Sequence, residues 1–138
     1  MKHKIFLSIP IDMDANRGEK TRKRLVKAIE GCGHEVIGAG IGENPIIPID
    51  ADKRLCKVIA CHDLNEQKKC TVTITVLDGK TFSVGTPIEF YTGYLLGHYS
   101  ILYITNSKHR ITSIFLKAFA DKITRNEPAL REVLISLR

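Results

Sequence analysis

The pattern of polar and apolar positions switches between two periods along the chain. Lys4 to Ile9 is alternating and β-rich, and predicts a first strand. Pro10 to Asn16 reads as a loop. Gly18 to Glu30 carries Leu25, Val26 and Ile29 at helical spacing, and Gly31-Cys32-Gly33 stops that helix. Glu35 to Ile37 is a short second strand. Gly38 to Ile49 holds three glycines with Pro45 and Pro48, a loop long enough to be functional. Asp50 to Lys68 predicts a second helix with Leu55, Val58, Ile59 and Leu64 on one side. Cys70 to Leu77 reads as a fully buried strand. Pro87 to Gly97 is a third helix, with Pro87 suited to a first turn. Ser100 to Thr105 is a fourth strand, Ile111 to Ala120 a helix, Lys122 to Thr124 a short fifth strand, and Glu127 to Leu137 a last helix. No repeat, low-complexity tract or linker interrupts this order. Alternating strands and helices predict one α/β domain over residues 1–138. The expected architecture is a three-layer sandwich: a parallel five-stranded sheet, helices on both faces, right-handed crossovers.

Composition narrows the partners. A chain of 138 residues can bury one sizeable core. No run of eighteen apolar residues occurs, so no membrane partner is expected. The apolar part of the N-terminus is too short for a signal peptide. Cys32, Cys56, Cys61 and Cys70 contain no Cys-x-x-Cys spacing. They are expected to be small buried apolar residues rather than disulfides or, with His62, a zinc site. A cytoplasmic protein with no metal and no cofactor follows. The net charge is +6. Its densest basic cluster, Lys20, Arg22, Lys23, Arg24 and Lys27, falls on a helix and reads as a solvent face. With no Trp and no interleaved aromatics, nucleic acid is not the expected partner. An anionic small molecule fits the charge better.

Candidate chemistry concentrates between Leu77 and Glu89. The β-branched run ends at Asp78-Gly79. A polar loop follows, then Gly85-Thr86-Pro87 and a carboxylate at Glu89. Strand, loop and helix N-terminus is how an open α/β sheet places a reactive side chain in its crevice. Asp78 at the strand end is suited to capping its loop through backbone N–H groups.

Leu77-Asp78-Gly79, a polar residue at Ser83, Gly85-Thr86 and Glu89 resemble the signature of the nucleoside 2-deoxyribosyltransferase superfamily. His62-Asp63-Leu64-Asn65 is similar to a segment of its nucleotide-hydrolysing branch. Gly93 to His98 and the Asn106 to Ser113 loop are similar to its following helix and loop. The resemblance implies a flavodoxin-like sheet and cleavage of the N-glycosidic bond of deoxynucleosides or their 5′-monophosphates. It implies that Glu89 is the nucleophile at the anomeric carbon, a role a carboxylate can fill against an oxocarbenium-like state. A helix N-terminus is expected to favour its ionised form. Asp63 is implied to contact sugar or base, or to deliver a proton to the leaving base; as an acid it would need a raised pKa. Tyr91, Tyr94 and His98 on the same helix are expected in the core or at the surface.

Ser83 stands where deoxyribosyltransferases carry a carboxylate and where the monophosphate-hydrolysing branch has a phosphate-binding serine. Ser8 matches another serine of that branch, and Ser113 one supplied by a neighbouring subunit, which implies a homodimer. Pro10 replaces an arginine of that branch, and Arg17 is the residue expected to take its place. Asp78, Gly85 and Thr86 complete the implied substrate-binding set. The leading expectation is therefore a nucleotide N-glycosidase. Base exchange between deoxynucleosides is the alternative, and a non-catalytic nucleotide-binding module the third.

Overall fold

A computed structural model describes residues 1–10, 15–38, 52–81, 85–106 and 108–137. The elements run β1 (Lys4–Ser8), α1 (Ala15–Gly31), β2 (Glu35–Ile37), α2 (Lys53–Lys68), β3 (Val72–Leu77), α3 (Gly85–Leu95), β4 (Tyr99–Ile104), α4 (Ile114–Phe119), β5 (Lys122–Thr124) and α5 (Glu127–Ser136). All pairings are parallel, in the order β2-β1-β3-β4-β5. This is the expected flavodoxin-like sheet with helices on both faces. The chain moves outward from β1 to β2 and then returns past β1 to β3. The carboxyl ends of β1 and β3 therefore flank the crevice where such sheets bind ligands.

The two faces of the sheet differ in chemistry. Side chains alternate along a strand, so Ile5 and Leu7, Val72, Ile74 and Val76, and Ile101 and Tyr103 share one face. They pack with Leu25 and Ile29 of α1 and Leu130 and Leu134 of α5 in an aliphatic core. The opposite face carries Ser8, Thr73, Thr75 and Ser100, all buried. Its apolar part is a smaller cluster of Phe90, Leu102, Ile104 and Ile111. A row of hydroxyls thus lies in the interior beneath α2 and α3.

Local chemistry sets the element ends. Asp52 caps α2 by accepting from the Leu55 N–H at 2.8 Å, and Asn126 caps α5 by accepting from the Ala129 N–H at 2.9 Å. Three expectations are corrected. Helix α3 begins at Gly85, two residues before Pro87. Helix α4 is shorter than Ile111 to Ala120, because Ser113 caps it and Ile111 is taken into the smaller core. The apolar side of α2 is not core: Leu55 and Val58 are 42% and 61% exposed, and the buried residue of that helix is Gln67. The expectation that all four cysteines are buried holds for only two, because two of them lie on α2. Cys32 and Cys70 are buried, whereas Cys56 and Cys61 on α2 are exposed. Burial pushes the Cys70 thiol up to about 11. Among the described residues no helix is long and apolar enough to cross a membrane.

Candidate functional site

Three elements converge at the crevice. Ser8 ends β1, Asp63 lies on α2 and Glu89 on α3. A helical side chain leans toward the N-terminus of its helix. Glu89 does so: a Cβ on Gly85 would lie 3.8 Å from Glu89 Oε1. Gly85 leaves that side of the carboxyl open. The other oxygen, Glu89 Oε2, is buried and makes no hydrogen bond of good geometry.

This environment reverses the expected electrostatics. Burial first, and then the Asp63 charge, raise the Glu89 pKa from its usual 4.5 to about 7, against the opposing pull of the Ser8 hydroxyl. Helix-end stabilisation of an anion falls off within the first turn, and Glu89 is the fifth residue of α3. Desolvation therefore wins. A carboxyl that titrates near neutrality, in a crevice beside a second carboxyl, is a marker of a chemically active site.

Ser8 is 1% exposed and pairs in register with Thr75, also 1% exposed. Both hydroxyl oxygens lack a hydrogen bond of good geometry. The Ser8 hydroxyl nevertheless lies close enough to Glu89 to lower its pKa. Thr75 is a residue the sequence reading passed over. Its signal was present: Thr71, Thr73 and Thr75 alternate with Val72, Ile74 and Val76, a half-polar strand rather than a uniformly apolar one.

Asp78 is committed to its own turn. It accepts from the Lys80 N–H at 2.8 Å, the Thr81 N–H at 2.7 Å and the Thr81 hydroxyl at 2.5 Å. Burial raises its pKa, but these donors outweigh burial and hold it below the usual range. Gly79 follows with φ +73, and a side chain there would strike the His109 ring at 2.6 Å. The strand-end turn is thus locked on both sides. These three bonds give Asp78 the capping role. Thr86 is buried in α3. Ser113 is the cap of α4, accepting from the Leu116 N–H at 3.4 Å. Ser83 and the Arg17 side chain lie outside the described residues.

Beneath Glu89 runs a buried polar chain. Gln67 Nε2 donates to the Glu89 main-chain carbonyl at 2.6 Å and to Thr73 Oγ1 at 3.3 Å. Thr73 Oγ1 is 2.8 Å from His98 Nδ1. Burial holds His98 below its usual pKa, which suits a neutral ring accepting at Nδ1. Tyr91 and Tyr94 face outward on α3. The Tyr94 ring stacks on Phe119 of α4 at 4.1 Å, and Phe115 closes the cluster.

The fold recurs in characterised proteins. A 2-deoxyribosyltransferase from Bacillus psychrosaccharolyticus matches with a TM-score of 0.78 at 16% identity, over 95% of this chain and 95% of its own. A CMP N-glycosidase from Clostridium botulinum matches with a TM-score of 0.60 at 19% identity, over 98% of this chain and 99% of its own. These likenesses establish the fold. The same fold also serves the interleukin-17 receptor B SEFIR domain, with a TM-score of 0.59 at 10% identity over 97% of this chain and 95% of that one. Function must therefore be argued from the site. No protein-family model and no curated protein matches the sequence.

Proposed function

We propose that the protein cleaves the base–sugar bond of a nucleoside or nucleoside 5′-monophosphate, with Glu89 as nucleophile. The observation that carries this reading is the buried Glu89 carboxyl, raised to about 7 at the switch point of the sheet beside Asp63. Glu89 in its ionised form attacks C1′. The C1′–N bond breaks, its electron pair leaves with the base, and the base takes a proton from solvent. The resulting glycosyl ester is resolved by water or by a second base, which restores the carboxylate. The Asp63 charge beside Glu89 supports contact with the sugar and stabilisation of positive charge at C1′.

Two observations bear on the acceptor and substrate. The higher TM-score to the deoxyribosyltransferase favours base exchange. Ser83, in place of a carboxylate, and the net charge of +6 favour a 5′-phosphate and hydrolysis. The outer side of α3 favours assembly of two copies. Ile88, Tyr91 and Leu95 are 53%, 47% and 65% exposed, and the Tyr91 ring meets Phe119 of α4, which in turn meets Phe115, 65% exposed. This patch begins one residue from Glu89, so a second copy seated there borders the crevice.

Chromatography of free base tests the reading, on deoxynucleosides and their 5′-monophosphates with and without an acceptor base. Base release lost in Glu89→Ala supports glycosidic cleavage. A new nucleoside formed only with acceptor identifies transfer. Absence of both on every substrate overturns the proposal.

A further inference from the structure

Gln67 is a fully buried amide on a helix that leaves Leu55 and Val58 exposed. A buried amide is costly unless its hydrogen bonds return the loss. Here Gln67 Oε1 has no partner, while both Nε2 hydrogens are used. A carbonyl can only accept, so the contact with the Glu89 main chain orients the amide nitrogen toward α3. The side chain thus holds a neighbour and leaves its own oxygen unsatisfied, which a residue present only for bulk would not need to do.

The hold extends along α3. Thr73 accepts from Gln67 and reaches His98, which lies just beyond the end of that helix. The chain therefore ties α3 to the sheet at its middle and just beyond its C-terminal end. Between them sits Gly93: a Cβ there would meet Thr73 Oγ1 at 2.6 Å and Gln67 Nε2 at 3.3 Å. The helix approaches the sheet closely only because position 93 is glycine.

We propose that Gln67 is a positioning residue for Glu89, fixing the main chain from which that carboxyl enters the crevice. The proposal rests on the reading of Glu89 as nucleophile. It acts through α3 and requires no contact between Gln67 and substrate. Small displacements of a reacting group are expensive in rate, so a loosened α3 should lower turnover more than binding.

The test uses Gln67→Met, Thr73→Val and Thr73→Ser in the full chain, with two readouts. Side-chain carbon NMR follows the titration of Glu89, assigned with Glu89→Gln. Steady-state kinetics of base release gives kcat and KM. In folded Gln67→Met the Glu89 midpoint moves from about 7 toward the ordinary carboxylate range as water reaches the group. With it, kcat falls about ten- to a hundredfold while KM changes little. Thr73→Ser keeps wild-type values, and Thr73→Val shifts both readouts in the direction of Gln67→Met. An unchanged Glu89 midpoint and kcat in folded Gln67→Met overturn the proposal. If Gln67→Met does not fold, a folded Thr73→Val with wild-type titration and turnover overturns it instead. If no substrate is cleaved, the reading of Glu89 as nucleophile fails, and the NMR titration alone still decides the positioning.

Discussion

Asp63 on α2 and Glu89 on α3 approach each other closely enough that the charge of one resists ionisation of the other. They lie far apart in sequence and on different helices, and they meet because both helices cover the hydroxyl-bearing face of the sheet. Burial makes the larger contribution to the Glu89 shift, and Asp63 adds to it.

The pH dependence follows. If Glu89 attacks as the anion, kcat/KM should rise tenfold per pH unit below about 7 and level off above it. Asp63→Asn should move that limb to lower pH, because a like charge is gone. A limb that falls with rising pH through the same value would mean that Glu89 works protonated.

The same shift has a stability consequence of definite sign. The folded pKa of Glu89 is raised above the usual 4.5, to about 7. As pH rises between these values the unfolded chain ionises first, so stability is present below 4.5 and is lost by about 7. The loss is about 3 kcal/mol at most. Glu89→Gln, which cannot ionise, should be more stable than wild type at pH 8, and the difference should shrink toward pH 4. Urea unfolding across that range measures it.

Gly93→Ala sets two effects against each other. Alanine gains up to about 1 kcal/mol in helix propensity. Overpacking against Thr73 and Gln67 costs about 1–3 kcal/mol, with the approach to Thr73 Oγ1 at 2.6 Å. The second effect should win, giving a lower urea midpoint and reduced base release together. A stabilised, fully active Gly93→Ala would show that α3 is free to lift.

At the opposite end of the sheet, His34 joins three segments. Its Nδ1 accepts from the His3 N–H at 3.2 Å, and its Nε2 is 2.9 Å from the Leu134 carbonyl. His3 Nε2 lies 2.8 Å from the Leu137 carbonyl. The end of α5 is thereby tied to β1 and to the start of β2. His34→Leu should keep the volume and lose both bonds, at a cost of about 2–4 kcal/mol in urea unfolding. Base release should persist where the variant is folded, since the crevice is at the other end of the strands.

The aromatic cluster on α3 and α4 supplies a prediction about assembly. Phe115→Asp places a charge at a position 65% exposed, so the fold should tolerate it. Sedimentation should show wild type as a dimer and the variant as a monomer. A monomeric wild type would leave the crevice to a single chain.

Much of the frame was legible from the chain alone. The β-rich apolar run of β1, the helical spacing of Leu25 and Ile29, and the turn residues at Gly31–Gly33 and Asp78-Gly79 act within a few residues, so their elements follow from local sequence. The order of strands and helices then leaves few ways to close a parallel sheet. The Asp78 turn was likewise readable, because an aspartate before glycine bonds its own backbone.

What the sequence could not decide was which face each helix would turn inward. Helix α2 has an apolar side at helical spacing, yet it buries Gln67 and exposes Val58, because the sheet face below it is lined with hydroxyls. Ser113, by contrast, caps α4 by a local bond to the Leu116 N–H. The raised carboxyl of Glu89 depends on α2, α3 and β1 together: one helix brings Asp63, another removes water, and the strand end brings Ser8. Local sequence determined the elements and the turn before the site; the desolvated meeting of Ser8, Asp63 and Glu89 exists only in the tertiary structure, because burial and charge act through space rather than along the chain.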